Sequence, residues 1–441
     1  METQTFSKRN WLILLLFGLI GQIAWSVENM YFNLFVFDTV APDLHAITLM
    51  VQLSGITATV TTLLAGTLSD KLGNRRTFLA VGYLVWGVTV ALFGFLSPDL
   101  TASLLGVDAQ SAVRITLVAV IVGDCVMTFF GSSANDAGFN AWVTDNTRPA
   151  FRGTVEGVLS ILPLIAMLVV AGGFGILVEA LGYSTIFLLL GILISLCGIL
   201  GAFFVKDAPD LKKQGSMRDI LYGFRPSVVK GNAPLYLSLI LVLIYGIACQ
   251  IFMPYLIIYM STYLGFSVLE YSAVFAIAIL AGAGVNLYLT RLSDKKDKST
   301  LLYFGAGVFA LGLFAMYLAK GLSHGATLVL FGIAGFVMIT GYIFVLALTG
   351  ALVRDYTPEG AVGKLQGVRM VFSVLIPMLA GPAIGNAINR ARNIPLPNPD
   401  SPDAMTTAYI PAPEIFLAAA LTALLLFAFI PLLRRAVKKQ K

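Results

Sequence analysis

Charge is what this 441-residue chain has least of. Asp, Glu, Lys and Arg make up 12% of it, against about 25% in an ordinary soluble domain. With 58% apolar residues and a mean hydropathy of +0.87, a water-soluble globular protein is excluded. Cysteine is scarce as well: Cys125, Cys197 and Cys249 lie far apart, each inside an apolar run. His45 and His324 stand alone, and no C-x-x-C or Cys/His spacing occurs, so a disulfide framework and a zinc site are unsupported. No Walker A sequence is present, which argues against pumping by ATP hydrolysis in this chain. Without a nucleophile–base cluster or a soluble signalling domain, a membrane-embedded enzyme and a membrane sensor are the weaker alternatives.

What is present is a succession of long apolar runs. Taking about 20 residues per crossing, the sequence predicts helices over 11–37, 46–68, 77–96, 113–144, 153–178, 182–205, 234–262, 270–291, 300–319, 325–352, 367–388 and 412–433. Lys8 and Arg9 before the first run, and Ala24-Trp25-Ser26 within it, faintly resemble a secretory signal. The run continues through Phe37, too long for that reading.

The few charges are placed unevenly. With the N-terminus inside, 25 of the 29 Lys and Arg fall on inner segments and only Arg114, Lys320, Arg390 and Arg392 on outer ones. This bias predicts cytoplasmic termini in a multi-pass protein of the cell membrane. It also explains the pI of about 9.1 through the anionic inner leaflet, without a nucleic-acid partner. The lipid bilayer and a small-molecule substrate are the expected partners, and the chain is expected to act as a monomer. The segment 206–233 is the one long inner linker, and 389–411 is a proline-rich outer loop expected to be extended rather than folded.

The halves echo each other. Leu68-Ser69-Asp70-Lys71 returns as Leu292-Ser293-Asp294-Lys295. Asp145, Thr147, Gly153, Gly157 and Val158 return as Asp355, Thr357, Gly363, Gly367 and Val368, all offset by 210. The chain therefore divides into a bundle over 1–205, the linker 206–233 and a bundle over 234–441. The expected fold is an all-α membrane protein, with twelve transmembrane helices in two pseudo-symmetric six-helix bundles. Parallel repeats of this kind are a transporter plan with the site near mid-membrane between the halves.

The loop Gly66-Thr-Leu68-Ser-Asp70-Lys71-Leu-Gly73-Asn-Arg75-Arg76 resembles the signature between helices two and three of the major facilitator superfamily, with Asn74 in place of one basic residue. Glu28-Asn29, Asp38 and the turn Thr144-Asp145-Asn-Thr-Arg148 resemble the glycoside–pentoside–hexuronide cation symporters and the related sucrose–proton transporters. The resemblance implies alternating access by two rocking bundles, and uptake of a sugar or glycoside with a proton. Helix two carries only Ser54, Thr57, Thr59, Thr61 and Thr62 where sodium-coupled melibiose permeases have two acids, which weakens sodium coupling. Helix five lacks the antiporter Gly-Pro followed by Gly-Gly, which lowers proton-driven export of a drug-like or lipid-like compound to the second reading. No cofactor is expected beyond the coupling ion, a proton with sodium as the alternative.

An acid at membrane depth costs about 2.5–3.5 kcal/mol even on a permissive scale, so it normally faces a polar cavity. Glu28 lies about 13 Å and Asp124 about 16 Å from the outer end of its predicted helix, at about 1.5 Å per residue. Such a pair can exchange a proton near neutral pH, or with Asn29 supply oxygens to a monovalent cation; each acid can equally be satisfied structurally across helices. Gln22, Ser26, Asn29 and Asn33 form one stripe on helix one, flanked by Trp25. It reads as a substrate face or as helix–helix glue. In the second half Pro254 should kink helix seven, with Gln250, Tyr255 and Tyr259 around the kink; Asn286 and Tyr342 are further substrate candidates. Tyrosine suits stacking and hydrogen bonding to a sugar, and is also common at membrane interfaces. Asp70, Lys71, Arg75, Arg76, Asp145, Arg148 and Arg152, with Asp294, Asp355, Lys364 and Arg369, read as a cytoplasmic gate or as topology determinants. Asn135 and Asp136 read as interfacial or gate residues.

Overall fold

The computed structural model describes residues 7–147, 152–208, 221–293, 297–358, 362–397 and 408–440. Among them are twelve helices long and apolar enough to cross a membrane. They are α1 Lys8–Val40, α2 Leu44–Leu72, α3 Arg75–Phe93, α4 Ala109–Asn146, α5 Gly157–Leu181 and α6 Tyr183–Phe204. The second six are α7 Ala233–Tyr263, α8 Val268–Leu289, α9 Lys298–Leu318, α10 His324–Tyr356, α11 Leu365–Arg392 and α12 Glu414–Lys439. Each matches a run read from the sequence. Several extend a turn beyond it, because polar end residues such as Arg354 and Asp355 remain helical after the apolar window has closed.

The chain forms two compact units. One holds residues 1–41 and 56–219, the other 42–55 and 220–441. The first turns of α2 thus belong to the second unit and the rest of that helix to the first.

Within the first unit, aromatic rings fill the space between α1, α3, α5 and α6. Phe32 stacks on Phe93 with centroids 4.1 Å apart, and Phe187 packs edge-on against Phe32. Helices α3 and α6 touch backbone to backbone. A Cβ on Gly87 would lie 2.3 Å from the Gly191 carbonyl oxygen, and one on Gly191 would lie 2.4 Å from that of Gly87. The second unit repeats the device between α9 and α10, where a Cβ on Gly312 or Gly341 would meet backbone nitrogen at 2.3 Å. Small residues let membrane helices approach closely where apolar burial gives no preference for protein over lipid.

Not every membrane helix is regular. α1 widens into π turns at Glu28–Phe32 and Val36–Val40, α4 at Ser132–Phe139, α5 at Val170–Phe174, α7 at Tyr259–Tyr263 and α11 at Val371–Leu375. α7 also tightens to a 3-10 turn at Met253–Tyr255, where Pro254 withholds a donor, at the expected kink. Such turns recur at functional sites, and here α1, α4 and α7 combine them with polar candidates.

Three connections differ from the sequence reading. A short helix, Pro98–Leu105, lies between α3 and α4, capped by the Ser97 hydroxyl and closed by Gly106 at φ 65°. The linker carries a helix, Pro226–Gly231, after a 3-10 turn, and Tyr236 donates its hydroxyl to the Gly223 carbonyl. The outer loop expected to be extended is partly folded. α11 runs on to Arg392, Asn393 turns left-handed at φ 46°, and two short strands pair antiparallel. These are β1 Ile394–Pro395 and β2 Tyr409–Ile410, in register Ile394 with Ile410.

Candidate functional site

In the first unit the two mid-depth acids come together. Glu28, at the start of the first π turn of α1, is 8% exposed, and its carboxylate accepts from the Thr128 hydroxyl of α4 at 3.1 Å. Asp124, 1% exposed, sits four residues before Thr128, on the same face of α4. Cys125, next to Asp124 in the chain, is a half-buried free thiol. Thr128 was not among the sequence candidates; its spacing from Asp124 was the available signal.

A second polar seam lies deeper along α4. The Trp25 indole donates to the Asn135 amide oxygen at 3.3 Å, and the Asn135 amide nitrogen donates to the Tyr83 hydroxyl at 2.6 Å. Tyr83 in turn donates to the Phe17 carbonyl at 2.8 Å. Trp25 also packs on Trp86, with centroids 5.0 Å apart. The seam therefore ties α1, α3 and α4 together, and Asn135 is its centre. Ser132, four residues after Thr128, is buried as well, so Asp124, Thr128 and Ser132 recur at four-residue spacing up to the start of the α4 π turn.

The α1 stripe is bonded largely to its own backbone. Ser26 donates to the Gln22 carbonyl, Asn29 to that of Trp25 and Asn33 to that of Asn29. Gln22 is half-buried and Asn29 exposed, while Asn33 is buried.

In the second unit the aromatic candidates are packed. Tyr255 is buried, with its hydroxyl 2.8 Å from the Thr48 hydroxyl and donating to the Pro382 carbonyl at 2.9 Å. Tyr259 is buried too, stacked on Tyr263 and edge-on to Phe416. Asn286 donates to the Gly282 and Thr340 carbonyls, a crossbar between α8 and α10. Gln250 and Tyr342 are half-buried. Gln250 lies against Gly381, and the ring of Tyr342 packs on Tyr245.

The gate charges pair within their own units. Arg75, 4% exposed, bonds Asp70, Ser69 and Asp145, the last at 2.9 Å. Asp207, after α6, accepts from the backbone N–H groups of Arg75 and Arg76, both at 2.9 Å, and Arg76 donates to the Ala202 carbonyl. The second unit has the same arrangement. Asn74 caps α3 before Arg75; Asp297 caps α9 before Lys298, and Lys298 pairs with Asp355 at 2.5 Å. Lys298 was missed from the sequence, although the cap-then-cation order was there to see. Lys71 and Arg369 are exposed. Arg148 and Asp294, and the side chains of Arg152 and Lys364, lie outside the described residues.

Twelve membrane-crossing helices with buried carboxyls, and a capped charge pair in each half, define a multi-pass membrane protein. The model of the Major Facilitator Superfamily matches residues 14–382, and the chain belongs to that family. No curated protein matches the sequence. Among solved structures, the nucleoside transporter NupG is 15% identical at a TM-score of 0.64, covering 95% of this chain and 98% of its own. A bacterial homologue of the human lysosomal transporter Spinster is 12% identical at 0.68, covering 100% and 99%. A bacterial homologue of the iron transporter ferroportin is 12% identical at 0.62, covering 96% and 98%. At these identities the likeness establishes the fold.

Proposed function

We propose that the protein is a secondary active transporter working by alternating access, and that it takes up a sugar or glycoside with a proton. The observation that carries the coupling is the meeting of Glu28 with Thr128 one helical turn from Asp124. A carboxyl placed in a buried polar setting beside a second acid can bind and release a proton within the physiological range. A hydroxyl that donates to it can stabilise the charged state and turn away when the proton is bound. The uneven Lys and Arg distribution supports cytoplasmic termini in the cell membrane. The substrate contacts this reading favours are, within the first unit, the half-buried Gln22 and exposed Asn29 of α1 and, within the second, the half-buried Gln250 and Tyr342. The packing of Tyr255 and Tyr259 makes them supports of the α7 kink in this state.

The test is uptake of labelled sugars into proteoliposomes with and without an inward-directed pH gradient. Glu28→Gln is expected to abolish gradient-driven accumulation while sparing exchange; normal accumulation in that variant removes Glu28 from coupling. Gradient-driven release of a drug-like compound, with no sugar flux under any gradient, would establish export instead.

A further inference from the structure

The second unit contains a cavity of about 560 Å³ at the end of α11 opposite the linker, within the range of small-molecule sites. None of the residues discussed above as coupling or substrate groups lines it. One wall is the first turns of α2, where His45, Thr48 and Gln52 share a face. The other is the last turns of α11. There Ala383, Ala387 and Ala391 leave the space open, and Asn386 and Arg390 flank it.

The polar groups are held in place from behind. Thr48 is bonded to Tyr255 at 2.8 Å, and the Gln52 amide nitrogen donates to the Leu379 carbonyl at 2.7 Å. Tyr409 of β2 donates to the Asn386 amide oxygen at 2.9 Å, so the Asn386 nitrogen faces His45 Nδ1 at 3.4 Å. An amide nitrogen can only donate, so in the neutral ring Nδ1 is the acceptor and Nε2 carries the hydrogen. The open capacity of the site is then mostly donors: His45 Nε2–H, the second N–H of Asn386 and the guanidinium of Arg390. The neighbouring basic residues differ. Arg392 and Lys320 both pair with Glu414, at 2.9 and 3.6 Å, whereas among the described residues no carboxylate pairs with Arg390. Asp43, just before α2, is turned to the N-terminus of that helix, accepting from the backbone N–H groups of His45 and Ala46.

An open cleft lined by these donors, with an arginine that no carboxylate among the described residues pairs, suits oxygens that only accept. We infer that this cavity binds a small molecule through an acidic group, a carboxylate or a phosphate. Arg390 is the charge partner and Asn386 and His45 the orienting donors. The site stands apart from the coupling reading, since it requires neither Glu28 nor a gradient.

The probes are glucuronate, glucose as its neutral counterpart, and inorganic phosphate, titrated calorimetrically into the full chain in phosphatidylcholine nanodiscs. Glucuronate or phosphate is expected to bind and glucose not. Loss of a charged hydrogen bond is worth about 1.5–3 kcal/mol, so Arg390→Gln should weaken binding about tenfold or more. Ala387→Leu, which fills the space and keeps the charge, should weaken it as well. Repeating the titration with phosphatidylglycerol in the disc separates the sources. Arg390-dependent competition by that lipid identifies the acidic group as a headgroup, and absence of competition identifies it as a solute. Anion binding that is absent, or equal in wild type and both variants, overturns the inference. Because no gradient enters the experiment, loss of proton-driven sugar uptake in proteoliposomes leaves its outcome unchanged.

Discussion

Asp297 gathers more hydrogen bonds than any acid at the basic end of the second unit needs for solubility. Its carboxylate accepts from Ser299 at 2.5 Å, from the Thr300 backbone N–H at 3.0 Å, from the Thr300 hydroxyl at 2.8 Å and from Arg434 of α12 at 3.0 Å. Partial burial works against its charge, but the bonds from Ser299, Thr300 and Arg434 outweigh that and lower its pKa to about 2. The unfolded value is about 3.9. A carboxyl with a depressed folded value contributes stability that is present above the unfolded value and lost as pH falls through the folded one. Amide exchange at Thr300 should therefore accelerate between about pH 4 and about pH 2, and Asp297→Ala should flatten that dependence. The variant should also cost about 1 kcal/mol through loss of the cap. An exchange profile unchanged by the substitution would show that the cap does not hold this end of α9.

At the scale of the helix, small residues decide which helices can approach. Gly87→Ala places a methyl 2.3 Å from the Gly191 carbonyl and 2.4 Å from the Ser195 backbone nitrogen, so α3 and α6 must part. Overpacking of this kind costs about 1–3 kcal/mol, and the thermal unfolding temperature in detergent should fall. Gly157→Ala, with nothing within 4 Å, should leave it unchanged or raise it through helix propensity. Equal behaviour of the two variants would mean that the α3–α6 contact is looser than described. The crossings themselves were legible, because an apolar run of about 20 residues has few other fates. The π turns were not. A one-residue widening changes neither composition nor length enough to register in a hydropathy window. The Pro98–Leu105 helix was hidden for a related reason: eight residues with Pro98 and Asp99 at the start read as a loop until Ser97 is seen capping them.

Over the whole chain, the repeat found in the sequence returns as geometry with unequal energetics. The Asp145–Arg75 pair has its arginine buried, whereas Lys298 and Asp355 are 33% and 47% exposed in their side chains. Removing one partner of a buried pair strands a charge and costs about 3–5 kcal/mol, while an exposed pair is worth about 0–1 kcal/mol. Asp70 remains beside Arg75 and softens the loss. Asp145→Asn should still lower the unfolding temperature clearly more than Asp355→Asn, and a reversed order would show that the second unit's pair is the structural one. The matching spacing of 210 residues revealed Asp145 and Asp355 as equivalents, but not that each pairs with the first residue of a capped helix. Likewise the depths of Glu28 and Asp124 could be counted from the sequence. The hydroxyl of Thr128 between their helices required coordinates, since helix rotation is set by packing across α1, α3 and α4. Tyr255 shows the opposite limit: its chemistry suggested a ligand, and its neighbours Thr48 and Pro382 occupy the hydroxyl instead.

The strands after α11 have a mechanical meaning. Asn389 accepts from the Ala412 N–H at 2.9 Å, and the Leu396 N–H reaches the Ala408 carbonyl at 3.0 Å. The peptide is thus tied at its neck like a drawstring bag. Chain threaded between the two tied points can be lengthened, shortened or cut with little strain on either adjoining helix. An epitope tag placed between the two ties is therefore expected to leave α11 and α12 in position.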